Sequence, residues 1–418
     1  MRYTALILFI LLVSALSAQA GIYDQQIREL RLTIAQNPVD TASRMSLGYL
    51  LMLSEDYPGA YNQYDTVFRQ DSLSVDAASG KLWALNAQGL FRRTISESQP
   101  LATAFTGHAP ISNHRAYALS QVGLHQQSRY YYAQAHRFSR DQQSSAIARE
   151  GLAWDYLALG DRYKALRYSL KDDTDFRTAF RKPKLAITLN YNLSNADMQS
   201  LGLQSSIQSG LYRLSLEADE LLISGEHFRY SAGLGLDVSN PFGQTSFAYT
   251  YLDGEDARVY PASHYSLSQE APVYIKYLSL VPKISAHLGN FERFDTYQGD
   301  LSLSLRYSPV SAGISYSKLY QDSDPIDSDR SWDILSLVTS LKIAGRYVVS
   351  AYYTQGDQAW WVNPYGAITD DFNSVDESLA LSLWAPFGKH LGLLLYHQIG
   401  LLDEEYRHFS SLSFTYTL

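Results

Sequence analysis

DLSLSLRYSPVSAGISY, residues 300–316, alternates with period two on both sides of a Ser-Pro pair. Leu301, Leu303, Leu305 and Tyr307 fall on one face, with Asp300, Ser302, Ser304 and Arg306 on the other. Beyond Ser308-Pro309, Val310, Ala312, Ile314 and Tyr316 resume the apolar row against Ser311, Gly313 and Ser315. This spacing specifies two strands joined by a tight turn, each with one oily and one wet face.

The pattern recurs outward in both directions. In KLAITLNYNL (184–193) the apolar row is Leu185, Ile187, Leu189, Tyr191 and Leu193; in FRYSAGLGLDV (228–238) it runs from Phe228 to Val238. HFSSLSFTYTL (408–418) ends on Leu412, Phe414, Tyr416 and Leu418, with Ser and Thr between them. Continuing along the chain, the spacing predicts fourteen strands between 184 and 418. These include strands at 272–280 and 283–290 separated by a Val281-Pro282 turn, and one at 389–399 whose lipid face is contested between Leu391, Leu393, Leu395 and Leu394, Tyr396. Connections alternate between tight turns and long loops, as in Asp253 to Ala271, Gln321 to Asp333 and Gly356 to Asp376.

Two architectures produce such strands, a soluble sandwich with its apolar face inward and a transmembrane barrel with that face toward lipid. Tight turns at one end, long loops at the other and strands of about ten residues fit the barrel. An even strand number returns the last strand to the first, near Leu185, leaving no open edge.

With the apolar face outward, the lumen receives Arg229, Asp237, Lys276, Lys283, His287, Asp300, Arg306 and Lys342 among many Ser, Thr and Gly. Such a lining suits a hydrated pore, or charges that pair across the interior and seal it. The loop GDQAWWVNPYGAITDDFNSVD carries Trp360, Trp361 and Tyr365, which could stack on a glycan or fold inward as a plug.

Ahead of Pro183 the periodicity is helical. EGLAWDYLALGDRYKALRYSLK places Leu152, Ala153 and Tyr156 on one face, breaks at Gly160 and packs Ala165 with Tyr168. SLGYLLMLSEDYPGAYNQYDTVF repeats the scheme with Leu47, Gly48, Leu51, Ala60 and Tyr64, whereas the stretches around Trp83 and Tyr117 match it poorly. The spacing resembles about four degenerate tetratricopeptide repeats. The Tyr130-Tyr131-Tyr132 run reads as core between helices, and the scattered His lack the pairing of a helical metal site.

MRYTALILFILLVSALSAQA has the charge, apolar run and small residues of a cleavable secretory signal. The chain contains no Cys, which excludes disulfides, thiolate metal sites and cysteine nucleophiles. Residues 21–182 hold 19 Lys and Arg against 16 Asp and Glu, but residues 183–418 hold 14 against 26, a poor match to nucleic acid. Neither a nucleophile elbow nor an HExxH motif is present, and no cofactor or catalytic role is expected.

The resulting expectation is a two-domain α + β chain: signal peptide 1–20, an α-helical tetratricopeptide-like solenoid 21–180, and an antiparallel transmembrane β-barrel of about 14 strands over 183–418. EGLAWDYLALGDRYKAL, SLGYLLML with Ala60 and the terminal FTYTL together resemble tetratricopeptide-repeat plus outer-membrane β-barrel proteins, namely YaiO-like barrels and exopolysaccharide-export outer-membrane proteins. That resemblance implies an outer-membrane location with the repeats in the periplasm. It also implies contact with outer-membrane lipid, docking of periplasmic proteins by the repeats, and export of a polysaccharide. A sealed scaffold and a passive porin are the other roles consistent with it.

Overall fold

The computed structural model describes residues 23–418 except 170–172, 195–197, 224–225, 255–262, 292–293, 324–329, 345, 359–361, 363–374 and 403–404. The expected signal segment 1–20 lies outside the described residues, as do Trp360, Trp361 and Tyr365. No described helix is long and apolar enough to cross a membrane.

Ten helices precede the strands among the described residues: α1 (23–36), α2 (Thr41–Leu53), α3 (Tyr57–Gln70), α4 (Val75–Ala87), α5 (Phe91–Ala104), α6 (Ala109–Gln121), α7 (His125–Phe138), α8 (Gln142–Ala158), α9 (Arg162–Tyr168) and α10 (Thr174–Arg181). The chain divides into two compact units between Asp155 and Tyr156.

In the first unit α2, α4 and α6 begin 34 residues apart, as do α3, α5 and α7. Helix starts are fixed by side-chain caps: Asp40 accepts from Ser43 N, Asp56 from Gly59 N and Ser74 from Ala77 N. Gly89 and Gly123 supply the left-handed residue that turns the first helix of a pair into the second; Glu55 takes that conformation in the first pair. Ile27, Leu47, Leu51, Met52, Ala60, Tyr64 and Ala84 form one continuous core. Gly48 and Gly80 bring backbone against the Tyr64 ring, leaving no room for a Cβ at either position.

The pairs that the sequence matched poorly are therefore regular. They were obscured because polar side chains occupy core positions. Lys81 is buried and ion-paired to Asp65 at 2.6 Å. Arg115 is buried against the Tyr131 ring and donates to Ile95 O at 2.6 Å and Ser98 Oγ at 2.9 Å. Tyr131 and Tyr132 are core residues, as read. Among the described residues no group of His, Asp and Glu could hold a metal ion.

The second unit is a closed antiparallel barrel. Its strands are β1 (Lys184–Ser194), β2 (Met198–Ser209), β3 (Tyr212–Ile223), β4 (Glu226–Asn240), β5 (Gly243–Gly254), β6 (Ser263–Glu270), β7 (Val273–Ile275), β8 (Leu278–Asn290), β9 (Phe294–Tyr307), β10 (Val310–Ser323), β11 (Arg330–Ile343), β12 (Tyr347–Gln355), β13 (Glu377–Phe387), β14 (Leu391–Leu402) and β15 (Glu405–Thr417). Sequence neighbours pair except β6 and β7: β6 pairs directly with β8, and β1 pairs with β15, so fourteen strands close the wall and β7 is a short flap on β8. Closure places Ile187 opposite Tyr416 and Leu189 opposite Phe414, and Leu418 N donates to Leu185 O at 2.8 Å.

Facing follows the alternation. Leu301, Leu303 and Leu305 are between 40% and 60% exposed on the outer wall, and Ile187, Leu203, Leu216, Leu234, Phe247, Ile314, Leu381 and Phe414 continue that apolar band around it. No interior core accounts for so much exposed aliphatic surface in every strand; a lipid environment does. On β14, Leu391 and Leu395 are exposed in the outward register, which settles the contested face and turns Leu394 and Tyr396 inward.

The strand count agrees with the sequence reading, but one strand was misplaced. Ser263–Glu270 is a wall strand, while 272–280 holds only the flap β7, a turn and the start of β8. Val281-Pro282 lies within β8 and is not a turn. Pro282 sits where β8 changes partner: Lys283 pairs with Glu270 of β6 and Leu280 with Val273 of β7. A missing N–H costs little at that break, and the Pro282 carbonyl still accepts from Ala271 N at 3.0 Å.

Between β12 and β13 twenty-one residues intervene (356–376), and this connection, like those from β5 to β6 and from β10 to β11, joins strand ends at the rim opposite Lys184 and Leu418. At the rim bearing Lys184, α9 and α10 pack on the barrel. Buried Arg162 donates to Phe180 O at 2.7 Å, also to Gly210 O, and lies over the Phe180 ring. Lys164 sits over the Tyr274 ring of the flap at 4.7 Å, and the Tyr274 hydroxyl donates to Asp161 at 3.2 Å.

Candidate functional site in the barrel lumen

Inward positions of β1, β2 and β10 are mostly Thr, Asn, Ser, Gly and Gln, so the lumen wall is a hydrogen-bonding surface. Its charges pair locally. Arg229 Nη2 lies 3.2 Å from Asp219 on the neighbouring strand, and Gly233 leaves the space that the Glu217 side chain occupies. Arg306 Nη2 stands 3.8 Å from Glu270, and Asp237 is opposite Arg213 in register. Lys283 lies inward on β8 and Lys342 inward at the end of β11. Lys276 does not line the lumen: it occupies the β7–β8 turn with φ at +48°, exposed, because β7 is a flap and not a wall strand.

The most organised cluster spans β6, β8 and β9. His287 Nε2 and Ser285 Oγ both reach Asp300 Oδ2 at 2.9 Å, and Gln298 Nε2 donates to Asp300 Oδ1 at 2.7 Å. The His264 ring stacks on His287 with centroids 5.6 Å apart. Buried Gln298 also grips the chain between β12 and β13: its Nε2 donates to Val362 O at 2.7 Å and its Oε1 accepts from Val362 N at 2.8 Å. Both backbone groups of Val362 are thus satisfied by one side chain of the lumen wall.

Val375, at the other end of this connection, packs on a different wall. Gly400 of β14 faces inward there, and a Cβ added to it would meet Val375 Cγ1 at 2.5 Å. The stem at the rim is a short ladder of Gly356 N to Asp376 O at 2.8 Å and Gln358 N to Val375 O at 3.3 Å. Around Val362 the inward side chains are dry: Leu319 and Ile334 are 1% exposed and Val362 3%. Toward the Lys184 rim Gln204, Arg213 and Lys342 are exposed, whereas Ser279 and Val281 at the start of β8 are 3% and 4% exposed.

Sequence reasoning placed Arg229, Asp237, Lys283, Asp300, Arg306 and Lys342 on the inward face, where they lie. It missed Gln298, Asp219 and Glu270. Inward parity alone identifies Gln298 and Asp219, whereas Glu270 ends a strand whose sequence reads as loop, and that Gln298 holds Val362, 64 residues away, has no local signature.

The fold and site define a membrane-type β-barrel with a mostly polar inward face, preceded by a helical repeat unit. No family model matches the chain, and no curated protein matches it significantly. Among solved structures it is similar to TTC0263, a tetratricopeptide-repeat protein of Thermus thermophilus, at 17% identity over 39% of this chain and 90% of that one, TM-score 0.32. It is similar to the KdgM porin at 10% identity over 55% of this chain and 98% of that one, TM-score 0.31. The Pseudomonas aeruginosa OccK5 barrel gives 10% identity over 56% and 97%, TM-score 0.32.

Proposed function

We propose that this chain is a gated outer-membrane channel through which a hydrated polymer, a polysaccharide in particular, leaves the cell. On this reading the repeats lie in the periplasm, where they dock envelope proteins, and the long connections face outward. The observation that carries it is the inward face itself: a mostly polar wall on which Gln298 holds Val362, from the chain between β12 and β13, by two side-chain hydrogen bonds. A few such bonds are a reversible closure, of a strength that a docking partner or the polymer can displace.

Catalysis is not part of the proposal. Ser285, His287 and Asp300 lie together, but the hydroxyl and the imidazole both bond to the carboxylate, so no base stands on the Ser hydroxyl. The dry inward side chains Leu319 and Ile334, together with buried Val362, also support a second reading, a sealed barrel that anchors the repeats. Planar-bilayer recordings of the purified chain and of Gln298→Ala decide between them. The channel reading expects rare openings in the native chain and frequent ones in the variant; silence in both overturns it.

A further inference from the structure

Residues 183–418 carry 14 Lys and Arg against 26 Asp and Glu, yet the cations are not spread evenly through this acidic stretch. Five of them occupy inward positions at the Lys184 end of the wall: Lys184 of β1, Arg213 of β3, Lys283 of β8, Arg306 of β9 and Lys342 of β11. Among the described residues the carboxylates on inward positions at that end are Asp237 and Glu270 alone. Five cations against two anions leave a net charge of +3 on the inner wall there. Deeper in, Glu217, Asp219 and Asp300 outnumber Arg229, so the positive excess is confined to a band.

The band runs round the barrel. Arg213 and Lys342 stand seven strands apart in either direction along the closed wall, with Lys184 on one arc between them and Lys283 and Arg306 on the other. Lys184, Arg213 and Lys342 are exposed, the Arg306 side chain is 49% exposed and Lys283 is half-buried. Glu270 reaches Arg306 at 3.8 Å, and among the described residues none of the other four cations makes an ion pair. One sector is covered, since Ser279 and Val281 at the start of β8 are buried. Between the cations the inward positions present Ser206, Gln208, Ser215, Gln244, Ser302 and Ser304. Charges that serve only to solvate a rim belong in its turns, where Lys276 and Lys389 lie, whereas inward side chains meet what enters the lumen.

We infer that this band is a binding ring for an acidic polysaccharide arriving at the Lys184 rim. Separated cations on facing strands complement anionic groups repeated along one linear chain, and rings of basic side chains favour anions where a pore begins. Ser hydroxyls and Gln carboxamides between them both donate to and accept from sugar hydroxyls, which favours a glycan over an acidic peptide. The deeper carboxylates limit the attraction to one end, so the chain is gathered there without being gripped along its length. That the bound chain is the exported polymer rests on the channel reading; the cationic band does not.

Equilibrium binding by the full chain in detergent tests it, with hexagalacturonate as the probe, cellohexaose as the neutral control and hexaglutamate as the acidic peptide. Native chain binds hexagalacturonate in preference to both, with an affinity that falls as salt rises from about 50 to 200 mM. The double variant Arg213→Gln, Lys342→Gln weakens binding about tenfold or more, while Lys342→Arg retains it and Lys276→Gln changes it by no more than about twofold. Unchanged β-sheet circular dichroism and heat-modifiable migration certify that the variants are folded, and the salt dependence probes the same charges without a variant. No binding of hexagalacturonate, indifference to salt or to the double variant, an equal loss in Lys276→Gln, or preference for cellohexaose or hexaglutamate overturns the inference. Conductance is read separately: a silent chain that binds hexagalacturonate removes the channel reading and leaves the ring, and a conducting chain that does not bind it does the reverse.

Discussion

Gln298→Ala is the perturbation whose size the structure fixes best. The change removes both hydrogen bonds to the Val362 backbone, at 2.7 and 2.8 Å, and the bond to Asp300 Oδ1. Each bond contributes about 0.5–1.5 kcal/mol net, and leaving a buried N–H and carbonyl without partners costs about 1–3 kcal/mol apiece. The held position of Val362 therefore loses about 2–5 kcal/mol. At about 1.4 kcal/mol per decade, that shifts the equilibrium between held and released segment by between about 30-fold and 3,000-fold. A cysteine placed at Val362, in a chain with no other cysteine, reads this directly as the rate of modification by a hydrophilic maleimide. The rate is expected to rise by at least tenfold in Gln298→Ala, alongside channel openings. Gln298→Glu is expected to do more, because it sets a second carboxylate against Asp300 and loses the donor to Val362 O. Unchanged labelling and unchanged conductance would refute the view that Gln298 holds the segment in place.

Three further outcomes follow from facing, packing and protonation. Leu303→Arg puts a charge on the lipid face and should destabilise the barrel by about 2–4 kcal/mol in urea titrations in lipid vesicles. Ser302→Arg, one residue away and inward, should cost far less. Gly151→Ala drives a Cβ to within about 2–3 Å of the Tyr132 ring and should cost about 1–3 kcal/mol, seen as a lower midpoint for loss of helical signal. Burial holds His114 neutral, with its pKa lowered from 6.5 to about 4. The unfolded chain then takes up the proton first as pH falls, so helical stability should be full above about pH 6.5 and decline by up to about 3 kcal/mol by pH 4. Asp155 works in the opposite sense, since burial raises its carboxyl pKa and the folded state gains that proton first. His114→Gln should flatten the decline in thermal melts taken between pH 4 and 7.

The barrel was legible because a two-residue period survives tertiary context: the face is set by parity, and closure of β1 on β15 follows from unpaired edges being costly. The misplaced strand shows the limit of that logic. SHYSLSQE has only Tyr265 and Leu267 on its lipid face and reads as loop, whereas APVYIKYLSLV is apolar enough to read as a strand although most of it is a flap and turn. In the helical unit, buried Lys81 and Arg115 disguised two repeats, since charge at a core position is tolerated only where tertiary partners neutralise or hydrogen-bond it, as Asp65 and Ser98 do here. The lumen's charged lining was read from parity. An inward fold of the loop 356–376 was only one alternative there, because a contact between Gln298 and Val362 depends on how a long connection folds back, and no local pattern encodes that.

The central claim is that one face of each strand meets lipid and the other meets a polar lumen. Single cysteines introduced in turn at residues 300–307 of β9, in otherwise cysteine-free chain embedded in vesicles, test it most directly. Membrane-impermeant maleimide should modify Ser302, Ser304 and Arg306 positions, and a lipid-soluble spin label should report bilayer contact at Leu301, Leu303 and Leu305. A period-two alternation between the two probes is the predicted result. Uniform aqueous labelling of both faces, or lipid contact at the Ser positions, would contradict the account.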